Sequence, residues 1–99
     1  MKYFYALIFG LFSIFSFGQI KGTVTDINNE PLAFVSIYIE NTYIGTTTNE
    51  NGKYELMYNG DKNIAVIYQY LGYKTQKNIL NIKNFPYIND VKLIEENFN

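Results

Sequence analysis

The stretch GTTTNENGKYEL, from Gly45 to Leu56, places a turn between two strand-like segments. Threonines precede the turn, and Tyr54 and Leu56 alternate with charged residues after it, as in a strand with one buried face. The turn contains Asn51-Gly52, a pair that readily supplies the positive backbone dihedral angles of a tight hairpin. The stretch therefore predicts two β-strands joined by a hairpin turn.

The oxygen-bearing side chains of this turn also invite comparison with a calcium loop. In the D-x-[DN]-x-[DN]-G pattern, Gly52 takes the glycine position, Thr47 takes the leading carboxylate position and Tyr58 takes the place of the closing glutamate. Both carboxylates that bind the ion in such loops are therefore missing. We interpret the stretch as a bend and predict no metal site and no cofactor.

The same alternation recurs on both sides of this stretch. The most apolar run, IAVIYQYLGY, is expected at the centre of a sheet, and the predicted core includes Val35, Ile37, Val66 and Ile67. Short strands separated by Asn, Gly and Pro predict an all-β sandwich of seven strands. The strand-like runs are IKGTVTD (20–26), AFVSIYIE (33–40), TTT (46–48), KYELMY (53–58), IAVIYQYLGY (64–73), KTQKNILNI (74–82) and DVKLI (90–94).

The N-terminus has the pattern of a secretory signal peptide. Lys2 precedes the apolar run YFYALIFGLFSIFSF, and the small residues Ser16 and Gly18 stand three positions and one position before Gln19. The run is shorter than the roughly 20 residues of a membrane-spanning helix. We predict a signal peptide helix over residues 1–18, cleavage before Gln19 and a folded domain over residues 19–99. The exported product is expected in the periplasm, in the outer membrane or at the cell surface.

The composition of the 99 residues argues against two classes of function. The net charge is −1, and the lysines form no cluster of the kind that binds nucleic acid, so we expect no nucleic-acid partner. The sequence has no His and no Cys, and Ser36 is the single serine after residue 18, so the usual nucleophile–base pairs are missing. A pair of catalytic carboxylates is possible by number alone, but Glu40, Glu50, Glu55 and Asp61 are expected to be solvated at turns and strand edges. We therefore predict no catalytic residues and a protein that is not an enzyme.

Two further groups of residues deserve a structural explanation. Asp26 and Asn28 are expected to close an Asx turn after the first strand, without a metal. Lys21 on the first strand and Asn89 or Asn97 near the last strand resemble the pair that forms an isopeptide bond in adhesin sandwiches. Such a bond requires a buried acid beside it, and the sequence shows none between these residues.

Tyrosines are numerous and offer an alternative function as a carbohydrate-binding module. Aromatic rings stack on sugars, but tyrosine is also common in the core and rim of small sandwiches. Carbohydrate is therefore the alternative partner to protein. The rings considered are those of Tyr38, Tyr43, Tyr54, Tyr58, Tyr68, Tyr70 and Tyr73.

Five short motifs in order resemble the carboxypeptidase regulatory-like domain, over residues 20 to about 93. The resemblance implies a seven-stranded antiparallel Greek-key β-sandwich of transthyretin-like type. The motifs are Gly22-x-Val24-x-Asp26, Pro31-Leu32, Gly45-Thr46-Thr47, Asn51-Gly52 before Tyr54, and Gly72-Tyr73.

The same resemblance implies a structural or protein-interaction role without catalysis. Such domains often follow the signal peptide of larger outer-membrane proteins, including TonB-dependent receptors. The partner is therefore expected to be another protein or a covalently following domain, with membrane contact only through a larger parent protein. Strand addition is the expected mode of binding, and the predicted edges are IKGTVTD and DVKLI, which carry Lys21 and Lys92.

Overall fold

A computed structural model describes residues 19–60 and 63–96, and these residues form strands and turns without a helix. Within the two ranges, nothing helical is long or apolar enough to span a membrane. The all-β class is confirmed, with eight strands in place of seven; the predicted signal peptide, residues 1–18, lies outside the described residues. The strands are β1 (Gln19–Thr25), β2 (Ser36–Ile39), β3 (Gly45–Thr47), β4 (Lys53–Met57), β5 (Asn63–Gln69), β6 (Gln76–Asn81), β7 (Tyr87–Ile88) and β8 (Val91–Lys92).

The strands form two four-stranded sheets that pack face to face. In sheet I the order is β4-β1-β7, and β8 also pairs with β1; in sheet II the order is β3-β2-β5-β6. Strand β5 lies between β2 and β6, which confirms the central position predicted for the most apolar run. Inward-facing residues of both sheets, such as Ile20 and Val66, belong to one hydrophobic core.

Strand β1 lies inside sheet I and not at its edge. It pairs with β4 in the antiparallel sense and with both β7 and β8 in the parallel sense, so the predicted edge position of IKGTVTD is wrong, and so is a purely antiparallel sandwich. The chain returns to sheet I from sheet II before β7, and a crossing connection can deliver a strand in either direction. Between β7 and β8, the Asn89 N–H donates to the Lys21 carbonyl oxygen (2.8 Å), and the Thr23 N–H donates to Asp90 Oδ1 (2.9 Å).

All four predicted core residues are buried, but they do not share one face of the fold. Val35, Ile37 and Val66 are at most 1% exposed and belong to the core between the sheets. Ile67 is also buried, but it is not part of that core. Consecutive residues of a strand point to opposite faces, so Val66 and Ile67 cannot both face the partner sheet. Ile67 is therefore buried on the outer face of its sheet, whereas Val66 faces the partner sheet.

The turn that follows β3 connects the two sheets and does not form a hairpin. Strand β3 pairs with β2, whereas β4 pairs with β1, so the predicted hairpin is wrong. Gly52 has the predicted positive φ of 73°, but Asn51 does not share it. The side chain of Asn49 closes the turn, because its Oδ1 accepts from the N–H of Asn51 (2.9 Å) and from that of Lys53 (3.0 Å). The motif is therefore a turn, as predicted, with a different partner on each side.

Candidate functional site

Strand β6 ends sheet II and is the longest edge strand of the described chain. It has six residues, whereas the other edge strands have five (β4), three (β3) or two (β7 and β8). One side of β6 pairs with β5, and the other side has no partner strand within residues 19–60 and 63–96. A long open edge is a site where another chain adds as a strand. Strand β6 is therefore the candidate interaction edge of the domain.

The outward backbone groups of β6 belong to Lys77, Ile79 and Asn81. The Glu40 N–H donates to the Ala65 carbonyl oxygen (2.9 Å), so the backbone of Ala65 faces β2. Because the direction of these groups alternates along a strand, the neighbours of Ala65 in β5 face β6 and bond to the residues opposite them. Lys77, Ile79 and Asn81 stand opposite the residues of β5 that face β2. Their N–H and C=O groups therefore point away from the sheet.

The side chains of these residues lie on the outer face of sheet II. Ile79 is 69% exposed and stands opposite Ala65 on β5. Ile67 on β5 pairs with Tyr38 on β2 and with Lys77 on β6. Its side chain therefore lies between these two side chains and is buried although it does not belong to the core. We call this face the β6 surface, formed by Tyr38, Glu40, Ala65, Ile67, Lys77, Ile79 and Asn81.

An ion pair crosses the β6 surface and neutralises its lysine. Lys77 Nζ lies 3.1 Å from Glu40 Oε2 and 3.2 Å from Glu40 Oε1. Both side chains are partly exposed, so the pair contributes less than about 1 kcal/mol to stability. The pair has an electrostatic consequence. A lysine on an edge strand discourages pairing with a second strand, but here the carboxylate of Glu40 offsets the charge. Glu40, which was expected to be a solvated acid, forms this ion pair and remains partly exposed.

The tyrosines considered for sugar stacking separate into different environments. Tyr54, Tyr58 and Tyr68 are buried, whereas Tyr43 is fully exposed. The rings of Tyr70 and Tyr73 lie 5.5 Å apart, centroid to centroid, at 40° to each other. Three of the seven rings are therefore buried away from any ligand, and carbohydrate binding stays a prediction.

Two of the buried tyrosines belong to a polar cluster inside the sandwich. The hydroxyl groups of Tyr54 and Tyr68 are 2.7 Å apart, Tyr54 also donates to the Asn89 carbonyl oxygen (2.5 Å), and Asn89 Nδ2 donates to the Tyr68 hydroxyl (2.9 Å). Burial raises the pKa of Tyr54 and that of Tyr68 above the ordinary value. The cluster joins sheet I to sheet II and holds the β7–β8 connection, so we assign it a structural role.

The same cluster explains why the isopeptide arrangement is not assembled. The side-chain amide of Asn89 bonds to Tyr68 inside the sandwich, whereas Lys21 is exposed on the outer face of β1. Thr48 is the single buried polar residue of the described ranges, so no acid is buried there beside Asn89. Asn97, the other candidate, lies outside the described residues.

The predicted Asx turn is confirmed. Asp26 Oδ1 accepts from the N–H of Asn28 (2.8 Å) and from that of Glu30 (3.0 Å). The Asn29 side chain accepts from Lys92 Nζ (2.9 Å), which links this turn to β8. Over the described part of the chain, no three acidic residues come close enough together to hold a metal ion. The acid at residue 61 lies outside this part.

Sequence reasoning did not identify β6 as a candidate interaction edge, because it assigned edges by position in the chain. The segment QKNILN does carry a signal, since Lys77 and Ile79 share one strand face while Leu80 takes the other. An apolar residue on the lysine-bearing face is unusual for a solvent-exposed edge. The register that places this face beside Tyr38 and Ile67 is visible only in the structure.

Comparisons with known proteins agree with this architecture. A profile of the CarboxypepD_reg-like domain family matches residues 20–98. A search of curated proteins found no significant match. Among solved structures, a chain of a type II cohesin–X–dockerin complex of Acetivibrio cellulolyticus, an N-terminal interface mutant, is similar with a TM-score of 0.65 at 14% identity over 79% of this chain. A chain of the corresponding C-terminal interface mutant has a TM-score of 0.58 at 14% identity over 76% of this chain. The match spans 58% and 52% of those two chains, respectively.

Proposed function

The chain belongs to the CarboxypepD_reg-like domain family, and from this premise we propose that it is an exported, non-catalytic module that binds a protein through the β6 surface. One observation carries the proposal: a six-residue edge strand has outward backbone groups and an isoleucine that is 69% exposed. Strand addition at such an edge uses backbone hydrogen bonds for affinity and alternate side chains for specificity. Ile79 supplies the apolar contact, and Lys77 with Glu40 supplies a polar rim.

Two further observations support an interaction role over catalysis. The chain has no His and no Cys, and Ser36 is exposed on β2 opposite Thr47 and Gln69, neither of which is a base. The similar solved structures both come from a protein–protein complex. At their low identity they support the proposal by analogy of fold only. The module is proposed to dock or tether a neighbouring protein, either as a free domain or within a larger outer-membrane protein.

Export is the part of the proposal that the N-terminal sequence supports. The secreted product is expected to begin at Gln19, because Ser16-Phe17-Gly18 follows the apolar run in the pattern of a cleavage site. Intact-mass measurement of the protein recovered from the periplasm or medium checks this prediction. A mass that retains residues 1–18 would contradict cleavage and would indicate an anchored protein.

The binding surface is tested by site-specific photo-crosslinking in the producing cells. A photoreactive residue at position 79 is expected to give protein adducts, because Ile79 lies on the proposed contact. The matched control carries the same residue at position 57, since Met57 is also exposed on an edge strand, β4, but in sheet I. Mass spectrometry identifies the adducts. Equal labelling from both positions, or none from either, would refute binding at the β6 surface.

A further inference from the structure

We propose that the strand added to β6 is β6 of a second copy of this chain, in an antiparallel arrangement about a two-fold axis at Ile79. This inference rests on the proposed use of the β6 surface and specifies its partner. A two-fold interface requires a patch that is complementary to itself. The amino-acid pattern of β6 meets that requirement in one register.

The register follows from the residues whose backbone groups point outward. Placing Ile79 opposite Ile79 of the second copy puts Lys77 opposite Asn81 at both ends of the pairing. The three residues then exchange about six backbone hydrogen bonds with the second copy, because each is an outward-facing residue in an antiparallel pair. The two four-stranded sheets become one continuous sheet, and both β6 surfaces lie on the same side of it.

Apolar contact selects this register, and charge disfavours two of the alternatives. The two Ile79 side chains meet on the outer face, at the Cβ separation of about 5 Å that directly opposed residues have. Lys77 faces a neutral asparagine, and its own charge has Glu40 3.1 Å away. An axis at Lys77 would instead place the two copies of Lys77 opposite each other. An axis at Leu80 would place Lys77 of one copy opposite Lys83 of the other. Self-pairing is thus compatible with an edge lysine, which ordinarily discourages it.

A cysteine introduced on the axis tests the geometry directly, because the sequence has no cysteine of its own. In the variant Ile79→Cys, the two Cα atoms would lie about 5.5 Å apart, within the range of a disulfide. The full chain as secreted, oxidised mildly, is expected to run as a covalent dimer on non-reducing gels. The matched variant Asn81→Cys places its two Cα atoms about 14 Å apart and is expected to form no disulfide.

Charge substitution provides a second, non-covalent test. Asn81→Lys places a lysine opposite Lys77 at both ends of the pairing and is expected to weaken the dimer by about two- to thirty-fold. Asn81→Glu places a glutamate opposite Lys77 of the second copy and is expected to strengthen the dimer by a similar factor. Analytical ultracentrifugation of the wild-type protein and both variants measures the dissociation constants. Circular dichroism melts check that both variants fold, which is expected because Asn81 is exposed.

The outcomes separate this inference from the proposed function. A disulfide dimer in Ile79→Cys but not in Asn81→Cys, with opposite effects of Lys and Glu at position 81, supports the self-pairing. A wild-type protein that stays monomeric at millimolar concentration, with crosslinks from position 79 only to a different protein, overturns the self-pairing and leaves the proposed function standing. A monomer that gives no adducts from position 79 overturns both.

Discussion

Ile37→Ala is expected to lower the free energy of unfolding by about 2 to 5 kcal/mol. Ile37 is 1% exposed and lies on β2 in the core between the two sheets. Removing its outer carbons loses the transfer free energy of the buried groups and leaves a cavity that two packed sheets cannot readily close. Urea denaturation followed by circular dichroism measures the change.

Ile67→Ala is the matched control for this prediction. The side chain has the same size and is 6% exposed, but it lies on the outer face of sheet II between Tyr38 and Lys77. These neighbours can relax over the space, so we expect a loss of only about 1 kcal/mol. Equal losses for the two variants would contradict the assignment of Val66 and Ile67 to opposite faces.

Gly52→Ala is expected to destabilise the fold by about 2 to 4 kcal/mol, for two separate reasons. The backbone of Gly52 has a φ of 73°, which costs a residue with a Cβ about 1 to 2 kcal/mol. The new Cβ would also lie 2.6 Å from the Val24 carbonyl oxygen and 3.0 Å from the Pro31 Cβ. Because the Leu32 N–H donates to the same Val24 oxygen, the backbone there cannot move without breaking a hydrogen bond.

Gly72→Ala separates these two contributions. Gly72 also has a positive φ, of 88°, but an added Cβ would meet nothing within 4 Å. Its substitution is therefore expected to cost only the backbone strain of about 1 to 2 kcal/mol. Thermal and urea melts of both variants measure the difference. A loss for Gly72→Ala as large as that for Gly52→Ala would show that the crowding around Gly52 is not important.

Much of the local structure could be predicted from residue patterns because the causes are local. Alternation of apolar and polar residues identified β1, β2 and β4 and placed Val35 and Ile37 on the buried face, while the most apolar run identified β5. The Asx turn at Asp26 follows from the short reach of an aspartate side chain to the next N–H groups. The positive φ of Gly52 was predicted because glycine is the residue that adopts it at least cost.

The candidate site was not predicted, because sheet edges depend on contacts between distant segments. The sequence reading placed the edges at the two ends of the domain, yet β1 acquires partners on both sides when β7 and β8 return beside it. Strand β6 becomes an edge because the chain then leaves sheet II for sheet I. Nothing within QKNILN encodes this departure.

The sequence by itself determined most of the strands and the turn positions, since each depends on residues within a few positions of one another, but it did not predict β7. Tertiary structure alone decided the strand order, the parallel pairing of β1 and the open edge at β6. It also decided the roles of two polar residues, Thr48 and Asn89. Thr48 Oγ1 bridges Leu32 and Val35, and Asn89 bonds to Tyr68. The physical reason is that hydrogen bonds between strands and between buried side chains join residues far apart in the chain. Many strand orders satisfy the same alternation, and only the packed core selects one of them.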